Sequence, residues 1–369
     1  MEFLVFIVPV LAGVFAYLYY SDEANRLVFS LTIAAVPMFI GVVMFCIFKS
    51  SNGYSEEFHG GYVAKTSYYE PWNERVAVTK TRTVMINGKS RTQTYTVTET
   101  RHHSKQFEYT DNLGKTHSTD EVTFDRINRV MGNPEKIFRD MDRNYYTEDG
   151  DAWDRPFSGR TEQMYPLTTS ERYWNPVKAN PYTILGYEAM EQEEADTLGL
   201  YNYPEIKWLQ QQCVLGTGVR PSDDLAVQRF NAKHGSQKQI RLFILLFRNK
   251  GPEIAEQQKR FWYNGNKNEL VVCLGMSGNT VKWCRGFSWC DRPVLEVKSR
   301  KWFIEHPQLD IPAYLDFLEK NLGSWERKEF KDFDYISVDL TGTQSFVFCL
   351  LVVLLTGLTW VFIDIHLKK

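Results

Sequence analysis

The sequence predicts an α+β membrane protein with three transmembrane helices, an antiparallel β-rich domain and a small α/β domain. Uncharged apolar runs lie near both ends of the 369-residue chain. Residues 50–122 alternate apolar or β-branched side chains with polar ones, which is the pattern of half-exposed strands. From residue 213 onward, apolar runs typical of buried strands alternate with helix-like segments.

Residues 1–48 are predicted to form a transmembrane hairpin. Its two runs, 3–20 and 27–48, contain no charged residue, and their lengths are close to the roughly 20 residues that cross a bilayer core. A secretory signal would begin with Lys or Arg and end in small residues, whereas here Glu2 precedes the first run and tyrosines close it. We therefore expect two uncleaved spans joined by the short turn SDEANR.

The third predicted span covers residues 345–363. Aromatic side chains are enriched where membrane helices meet water. The residues expected to anchor the helices in this way are Tyr17, Tyr19, Tyr20 and Trp360.

Three spans place the two termini on opposite sides of the membrane. Arg26, Lys368 and Lys369 flank one side, and Lys49 and Lys331 flank the other. Because basic residues are more frequent on the cytoplasmic side, this comparison favours a cytoplasmic C-terminus. The sequence thus predicts an integral protein of the plasma or inner membrane whose soluble domains face the extracytoplasmic side.

Composition adds limits on partners and on redox chemistry. The formal net charge is −2, so no global basic field favours nucleic acid as a partner. The sequence contains no C-x-x-C pair, so its cysteine spacing does not indicate a zinc site. The cysteines of the polar part are expected to be small buried thiols, or to form one disulfide in an oxidising compartment: Cys213, Cys273, Cys284 and Cys290.

Residues 50–122 are predicted to form a small antiparallel sheet or sandwich. The segments GGYVAKTSYYE, NERVAVTKTRTVMI and RTQTYTVTET read as strands, and KQFEYTDNLGKTHS supplies a fourth strand candidate. The tripeptide NGK at 87–89 favours a hairpin turn, because Asn and Gly accept positive φ.

Residues 123–212 are expected to form an irregular, aromatic-rich connecting segment. The segments DEVTFDRINRVMG and PEKIFRDMDRN suggest two short helices, with Pro134 at the start of the second. The loop-like stretch that follows is too aromatic for flexible disorder. We expect it to wrap a protein partner or a neighbouring subunit.

Residues 213–330 are predicted to form the α/β domain. PSDDLAVQRFNAKHG reads as a helix with Ser222 as N-cap and Gly235 as its stop. Next come a buried strand in KQIRLFILLF, a helix in PEIAEQQKRFWYN, and two strands in ELVVCLGM and TVKWCRGFSW. Two helices close the domain. Its structural core is expected to include Phe261, Trp262, Leu270, Val272 and Trp283.

The run from IRLFILLF through IAEQQKRFWYNGNKNELVVCLG to VKWCRGFSW resembles the TPM domain family over roughly residues 222–323. Ala255, Phe261, Trp262, the turn at 265–268 and the strand at 270–274 fit the slots of that family. The resemblance implies a membrane-anchored α/β module, and some members are given phosphatase or metal-binding roles. One departure is FSWCDRP, which replaces the glycine-rich stretch after the family's final strand. The stretch containing YYEPWNERV is similar to uncharacterised membrane proteins of bacteria and phages.

Four histidines of the β-rich region are the candidate metal ligands: His59, His102, His103 and His117. Imidazole nitrogens are common zinc ligands. Adjacent residues of a strand point to opposite faces, so His102 and His103 cannot both join one cluster. Exposed histidines, or histidines packed in a hairpin, explain the same pattern, and no cofactor is expected.

The leading function is non-enzymatic, because no catalytic constellation is present in the sequence. We expect a membrane-anchored binding or assembly module that acts with a protein partner or as a homo-oligomer. The alternative, implied by the TPM resemblance, is a phosphatase-like hydrolase that uses a divalent cation. Asp291 and Glu296 are its first candidate catalytic residues.

Overall fold

The structure is a computed structural model that describes residues 2–21, 23–86, 89–141, 150–174, 190–262, 269–288, 293–325 and 340–366. The chain divides into two compact units. The first unit comprises Met1–Glu56, Arg172–Ile184 and Glu329–Lys369. The second unit comprises Glu57–Glu171 and Leu185–Lys328. The fold is mixed α/β and contains antiparallel sheets, as the sequence predicts.

The α-helices of the described residues are α1 (Ile7–Tyr19), α2 (Arg26–Asn52), α3 (Glu121–Val130), α4 (Gln192–Leu198), α5 (Pro221–Lys238), α6 (Ile254–Phe261), α7 (Pro293–Glu305), α8 (Ile311–Asn321) and α9 (Gly342–His366). The strands are β1 (Tyr54–Tyr69), β2 (Trp72–Ile86), β3 (Lys89–His103), β4 (Gln106–Asp111), β5 (Thr116–Thr119), β6 (Ile137–Arg139), β7 (Ala152–Pro156), β8 (Pro166–Trp174), β9 (Val214–Gly216), β10 (Arg241–Arg248), β11 (Glu269–Ser277) and β12 (Thr280–Ser288).

Two helices of the first unit, α2 and α9, are long and apolar enough to cross a membrane by length and composition. They contain 27 and 25 residues, whereas about 20 are needed. The helix expected at 3–20 is shorter, because its first residues, Glu2–Phe6, form a 3-10 helix and α1 has only 13 residues. Of the three expected spans, two therefore correspond to described helices of sufficient length and apolar composition.

Small residues allow α1 and α2 to approach closely. A Cβ atom on Gly13 would lie 2.9 Å from the Cβ of Ala34, and the Ser30 hydroxyl donates to the Gly13 carbonyl oxygen at 2.7 Å. Helices inside membranes associate through such small residues, since lipid supplies no hydrophobic drive between helices. At the ends of α2 and α9, the side-chain amides of Asn52 and Gln344 exchange two hydrogen bonds, of 2.6 and 2.9 Å.

The larger sheet of the second unit has the order β5-β4-β1-β7-β6, and β8 also pairs with β1. Its core contains Val63, Tyr109 and Tyr165, with Ile127 and Met131 contributed from α3 and its C-cap. The prediction of a helix in PEKIFRDMDRN is wrong for the described part of that segment. Residues Ile137–Arg139 form β6, which pairs antiparallel with β7. Tertiary pairing overrides the local helix signal there.

The second sheet of this unit has the order β12-β11-β10-β9. Strands β9, β10 and β11 are parallel, and β12 is antiparallel to β11. Seven of the eight side chains of β10 are buried, which agrees with the apolar run in its sequence. Among the expected core residues, Leu270, Val272 and Trp262 are buried, and Phe261 and Trp283 are half-buried against the same cluster.

Helix α5 begins two residues earlier than expected, with Arg220 as its N-cap, and it ends later. Pro221 occupies its first turn, so Ser222 lies inside the helix and is not its N-cap. Gly235 does not stop the helix, which continues to Lys238. A Cβ on Gly235 would lie 2.2 Å from the Gly60 carbonyl oxygen, so the glycine is required for close packing.

The segment at 123–212 contributes regular elements to the second unit. It supplies α3, β6, β7, β8 and α4, so about half of its described part is regular, where the sequence predicts an irregular connection. Residues 142–149 and 175–189 of this segment lie outside the described residues. Arg229 of α5 donates to the carbonyl oxygens of Glu162 and Met164 at 2.5 and 3.3 Å. The unit therefore contains both sheets, which the sequence had suggested as separate domains.

Candidate functional site

A two-stranded antiparallel ribbon formed by β2 and β3 is the main exposed feature of the second unit. Each strand has 15 residues, and pairing runs without a shift from Trp72↔His103 to Ile86↔Lys89. At about 3.4 Å per residue, the ribbon is roughly 50 Å long. It pairs with no other described strand, and none of its described side chains is buried. The sequence predicted this hairpin but placed it within a larger sheet.

One face of the ribbon consists largely of threonines and is called the threonine face below. Cross-strand partners share a face of an antiparallel pair. The register pairs Thr79 with Thr96, Thr81 with Thr94 and Thr83 with Thr92. On β3, Thr98 and Thr100 lie on the same face. All eight threonines are exposed. The signal was visible in the sequence as alternating threonines in KTRTV and RTQTYTVTET.

The opposite face combines valines with basic residues and is called the basic–valine face. Val76, Val78, Val84 and Val97 are half-exposed along it. Between them, Arg82 donates two hydrogen bonds to the Gln93 carbonyl group and lies 5.5 Å from the centre of the Tyr95 ring. The Lys80 Nζ atom donates a hydrogen bond to a carboxylate oxygen of Glu99 at 2.5 Å. That hydrogen bond lowers the pKa of Glu99 and raises the pKa of Lys80, although an exposed pair of this kind adds little stability.

The ribbon carries a local excess of positive charge. Residues 72–103 contain six basic and two acidic side chains, in a chain whose net charge is −2. The valines supply apolar area beside these charges. The basic–valine face is therefore suited to a surface that is both apolar and acidic.

The histidines proposed as metal ligands have separate partners. His103 is stacked on Trp72 at 4.1 Å and lies 3.0 Å from a Glu74 carboxylate oxygen. His102 lies on the opposite face, 2.9 Å from the side-chain oxygen of Asn73. The two rings thus belong to cross-strand pairs at the base of the ribbon.

The other two histidines lie outside the ribbon. His59 is buried in β1, 3.8 Å from Glu57. His117 in β5 is stacked on Tyr109 and lies 3.1 Å from a carboxylate oxygen of Asp111. Within the described parts of the chain, no group of three or more His, Cys, Asp or Glu side chains could hold a metal ion.

Glu296, a candidate of the hydrolase alternative, lies in the first turn of α7. Its Cγ is 3.3 Å from the position that a Cβ on Gly286 would occupy. Nearby Cys284 is buried, and burial first and the Glu296 charge second raise the pKa of its thiol to about 12. A thiol with this pKa is not a nucleophile at neutral pH. Asp291, the second candidate, lies outside the described residues.

The described cysteines are free thiols. Cys213, Cys273 and Cys284 are buried in the core of the second unit, and burial raises the pKa of each thiol. Cys290, the fourth cysteine considered for a disulfide, lies outside the described residues.

Three of the four expected membrane anchors contact one another in the first unit. The ring of Trp360 lies 6.0 Å from that of Tyr19 and 6.4 Å from that of Tyr20. The Tyr20 hydroxyl donates to Asp364 at 3.3 Å. Tyr17 packs its ring against the guanidinium of Arg26 at 4.7 Å. Aromatic rings beside charged groups at helix ends are typical of a membrane–water interface.

Comparison of the chain with protein-family models, with curated proteins and with solved structures finds no match.

Proposed function

We propose that this chain is a membrane-anchored binding or assembly module whose β2–β3 ribbon contacts a protein partner or a second copy of the chain. The observation that carries the proposal is the isolation of the ribbon: two 15-residue strands pair only with each other among the described strands and bury no described side chain. An isolated two-stranded hairpin is marginally stable in water, and its open edges favour pairing.

The anchor of this module is the helical first unit. Helices α2 and α9 have the length and composition of spans, and we propose α1 as a third, shorter span. The basic residues that flank the runs support a cytoplasmic C-terminus and extracytoplasmic soluble domains. A topology reporter fused after Lys369 tests this orientation. Cysteine labelling at Cys290 tests it independently, because the described cysteines of the second unit are buried.

Shortening the ribbon tests its role in assembly. A variant in which an Asn-Gly turn joins Arg75 directly to Thr100, which are cross-strand partners, removes most of the ribbon without changing the register of its base. Mass measurement in mild detergent is expected to show an oligomer or a co-purified protein for the wild type, and neither for the shortened variant. A wild-type chain that is strictly monomeric and brings no protein with it would contradict the proposal.

Two neighbouring residues of β3 distinguish the faces of the ribbon. Thr94 lies on the threonine face and Gln93 lies on the basic–valine face, and both are exposed. Thr94→Glu and Gln93→Glu therefore add the same charge on opposite faces. If the basic–valine face binds an acidic partner surface, Gln93→Glu is expected to weaken the association more than Thr94→Glu.

The alternative function is a metal-dependent hydrolase of the TPM type. The order of β10, α6, β11 and β12 supports it, because the resemblance implies a strand, a helix and two further strands in this order. Turnover of a phosphate ester by the full chain with Mg²⁺ or Ca²⁺, lost in Glu296→Gln, would favour this alternative. Absence of turnover with either cation would remove its support.

A further inference from the structure

The threonine face of the β2–β3 ribbon carries no charge along its outer part. Five successive cross-strand pairs of this face, from Ala77↔Thr98 to Met85↔Ser90, supply ten uncharged side chains. Seven of the ten are threonines, and all ten are exposed. Charged side chains are a common means of keeping exposed strands from associating. This face has no such protection.

The basic–valine face is unsuited to contact with its own copy. Over the same part of the ribbon it carries four basic side chains and one acidic one, a charge of +3: Lys80, Arg82, Lys89, Arg91 and Glu99. In a two-fold contact the same patch of both copies meets. Two copies joined through this face would bring like charges together, which opposes association. The uncharged threonine face has no such cost.

Threonine is well suited to a strand face that becomes buried. Its branched side chain has few rotamers to lose, and its methyl group supplies apolar area. Its hydroxyl both donates and accepts, so two threonines can satisfy each other across a contact. The second unit already contains such a pair: the hydroxyl oxygens of Thr110 on β4 and Thr116 on β5 lie 3.2 Å apart.

The ribbon also lacks a second layer among the described residues. Strands β2 and β3 pair only with each other there, and none of their described side chains is buried. A two-stranded hairpin of this kind is marginally stable in water unless something packs against it. Sheets of the same twist stack face to face about 10 Å apart. An identical ribbon has the twist that such a layer requires.

We propose that two copies of the chain associate through their threonine faces, about a two-fold axis close to the central pair Thr81↔Thr94. The inference rests on the proposed function and makes its partner specific. A ribbon about 50 Å long and two strands wide covers at most about 500 Å² per copy, so the pair buries about 1,000 Å², the lower limit for a specific interface. The contact is therefore weak between separate chains, and holding both copies in one membrane strengthens it by raising their effective concentration.

The test measures the mass of the full chain in an uncharged detergent, by analytical ultracentrifugation at several ratios of protein to detergent. The wild type is expected to form a dimer that dissociates as the ratio falls. Thr94→Glu places a carboxylate at the centre of the face in both copies, and is expected to raise the dissociation constant by roughly tenfold or more, because like charges then meet. Gln93→Glu adds the same charge at the exposed neighbouring position on the opposite face and is expected to leave the dimer unchanged.

A charge exchange at the same position tests the two-fold contact directly. Thr94→Lys is expected to be as weakly associated as Thr94→Glu when each is measured alone. An equimolar mixture of the two variants is expected to recover the mass of the dimer, because opposite charges then meet across the axis. Recovery also shows that both variants are folded. A mixture that stays monomeric would overturn the proposed contact.

The outcomes separate this inference from the function on which it rests. An oligomer that is lost in the shortened-ribbon variant, but is weakened by Gln93→Glu as much as by Thr94→Glu or more, overturns the threonine contact and leaves the ribbon as the binding element. A monomeric wild type that brings another protein with it overturns self-association alone. A monomeric wild type that brings no protein contradicts both proposals.

Discussion

The carbonyl oxygen of Gly60 lies 2.2 Å from the position that a Cβ atom on Gly235 would occupy. The approach is mutual, since a Cβ on Gly60 would lie 2.3 Å from the carbonyl carbon and oxygen of Asn231. Backbone of β1 therefore packs directly on backbone of α5. Only glycine permits this distance at either position, and the contact joins the two sheets into one folded unit.

Replacing Gly235 by alanine is expected to lower the free energy of unfolding. Inside a helix, alanine is more stable than glycine by up to about 1 kcal/mol. The new Cβ atom, however, clashes with backbone atoms of Gly60, which cannot move aside as a flexible side chain could. Overpacking of this kind costs about 1–3 kcal/mol, so the loss exceeds the gain. Denaturant unfolding measures the difference. Gly323→Ala is the control, because nothing lies within 4 Å of its added Cβ; a Gly235→Ala chain as stable as the wild type would contradict this account.

Gly275→Ala is expected to destabilise the sheet of β9–β12. A Cβ on Gly275 would lie 1.9 Å from the Nε1 atom of Trp283, its cross-strand partner. Trp283 is held there by a 2.8 Å hydrogen bond from its indole N–H to the Lys250 carbonyl oxygen. The indole must move and lose this bond, so we expect a loss of about 1–3 kcal/mol by denaturant unfolding.

A second glycine of the same sheet serves as the control for Gly275. A Cβ on Gly286 would lie 3.3 Å from the Cγ of Glu296, a side chain that can shift by a few tenths of an ångström, and 3.5 Å from the Val271 carbonyl oxygen, an ordinary contact. Gly286→Ala is therefore expected to cost clearly less than Gly275→Ala. Equal losses for the two variants would show that the indole does not determine the effect.

Asn231 completes the hydrogen bonding of β10 where β9 does not reach. Strand β9 pairs with Ile244 to Leu246, and the Asn231 amide bonds both backbone groups of Leu242. Asn231→Ala leaves a buried N–H and a buried C=O unsatisfied, at a cost of about 1–3 kcal/mol each. The expected result is a lower unfolding free energy and faster hydrogen exchange at the Leu242 amide. Gln308→Ala removes one long, exposed hydrogen bond and is expected to change neither quantity.

Elements that are determined by one local pattern can be predicted from the sequence. The apolar run of β10 and the length of α2 and α9 each required only their own residues. Alternation identified β2 and β3 as strands, but it carries no information on which other strands they pair with, so their isolation was not predicted. The sequence predicts a helix stop at Gly235 because glycine often ends helices, and only the position of Gly60 explains why Gly235 lies inside α5.

The small polar cavity beside Arg241 of β10 could not be predicted from the sequence, for a related reason. Its lining residues Gly60, Thr168 and Arg241 come from three separate strands, and none of them belongs to a recognisable motif. Strand β9 has three residues, too few for a periodic signal. The unmet hydrogen bonds of Arg241 become visible only when the partners of its neighbours are known.

Alkaline pH is expected to destabilise the second unit through its buried thiols. Burial raises the pKa of Cys213 from its ordinary value of 9.0 to about 12, and the pKa of Cys284 likewise. The folded state thus favours the protonated thiol, and this contribution is fully present below about pH 9. It is lost as pH rises from 9 towards 12, because the unfolded chain releases the proton first. In this window we expect the unfolding free energy to fall by up to about 1.4 kcal/mol per pH unit for each thiol.

Removing one thiol separates this effect from the ionisation of tyrosines, which also begins in this pH range. Between pH 9 and 10, the unfolding free energy of Cys213→Ala is expected to decline less steeply than that of the wild type, and the difference in slope corresponds to at most one proton. The cavity left by the substitution lowers the stability at every pH. The measurement is denaturant unfolding in the presence of a reductant at several pH values. Val214→Ala, which also leaves a cavity in this core but removes no thiol, provides the comparison and should keep the wild-type slope. A slope unchanged in Cys213→Ala would mean that this thiol ionises equally in the folded and unfolded states.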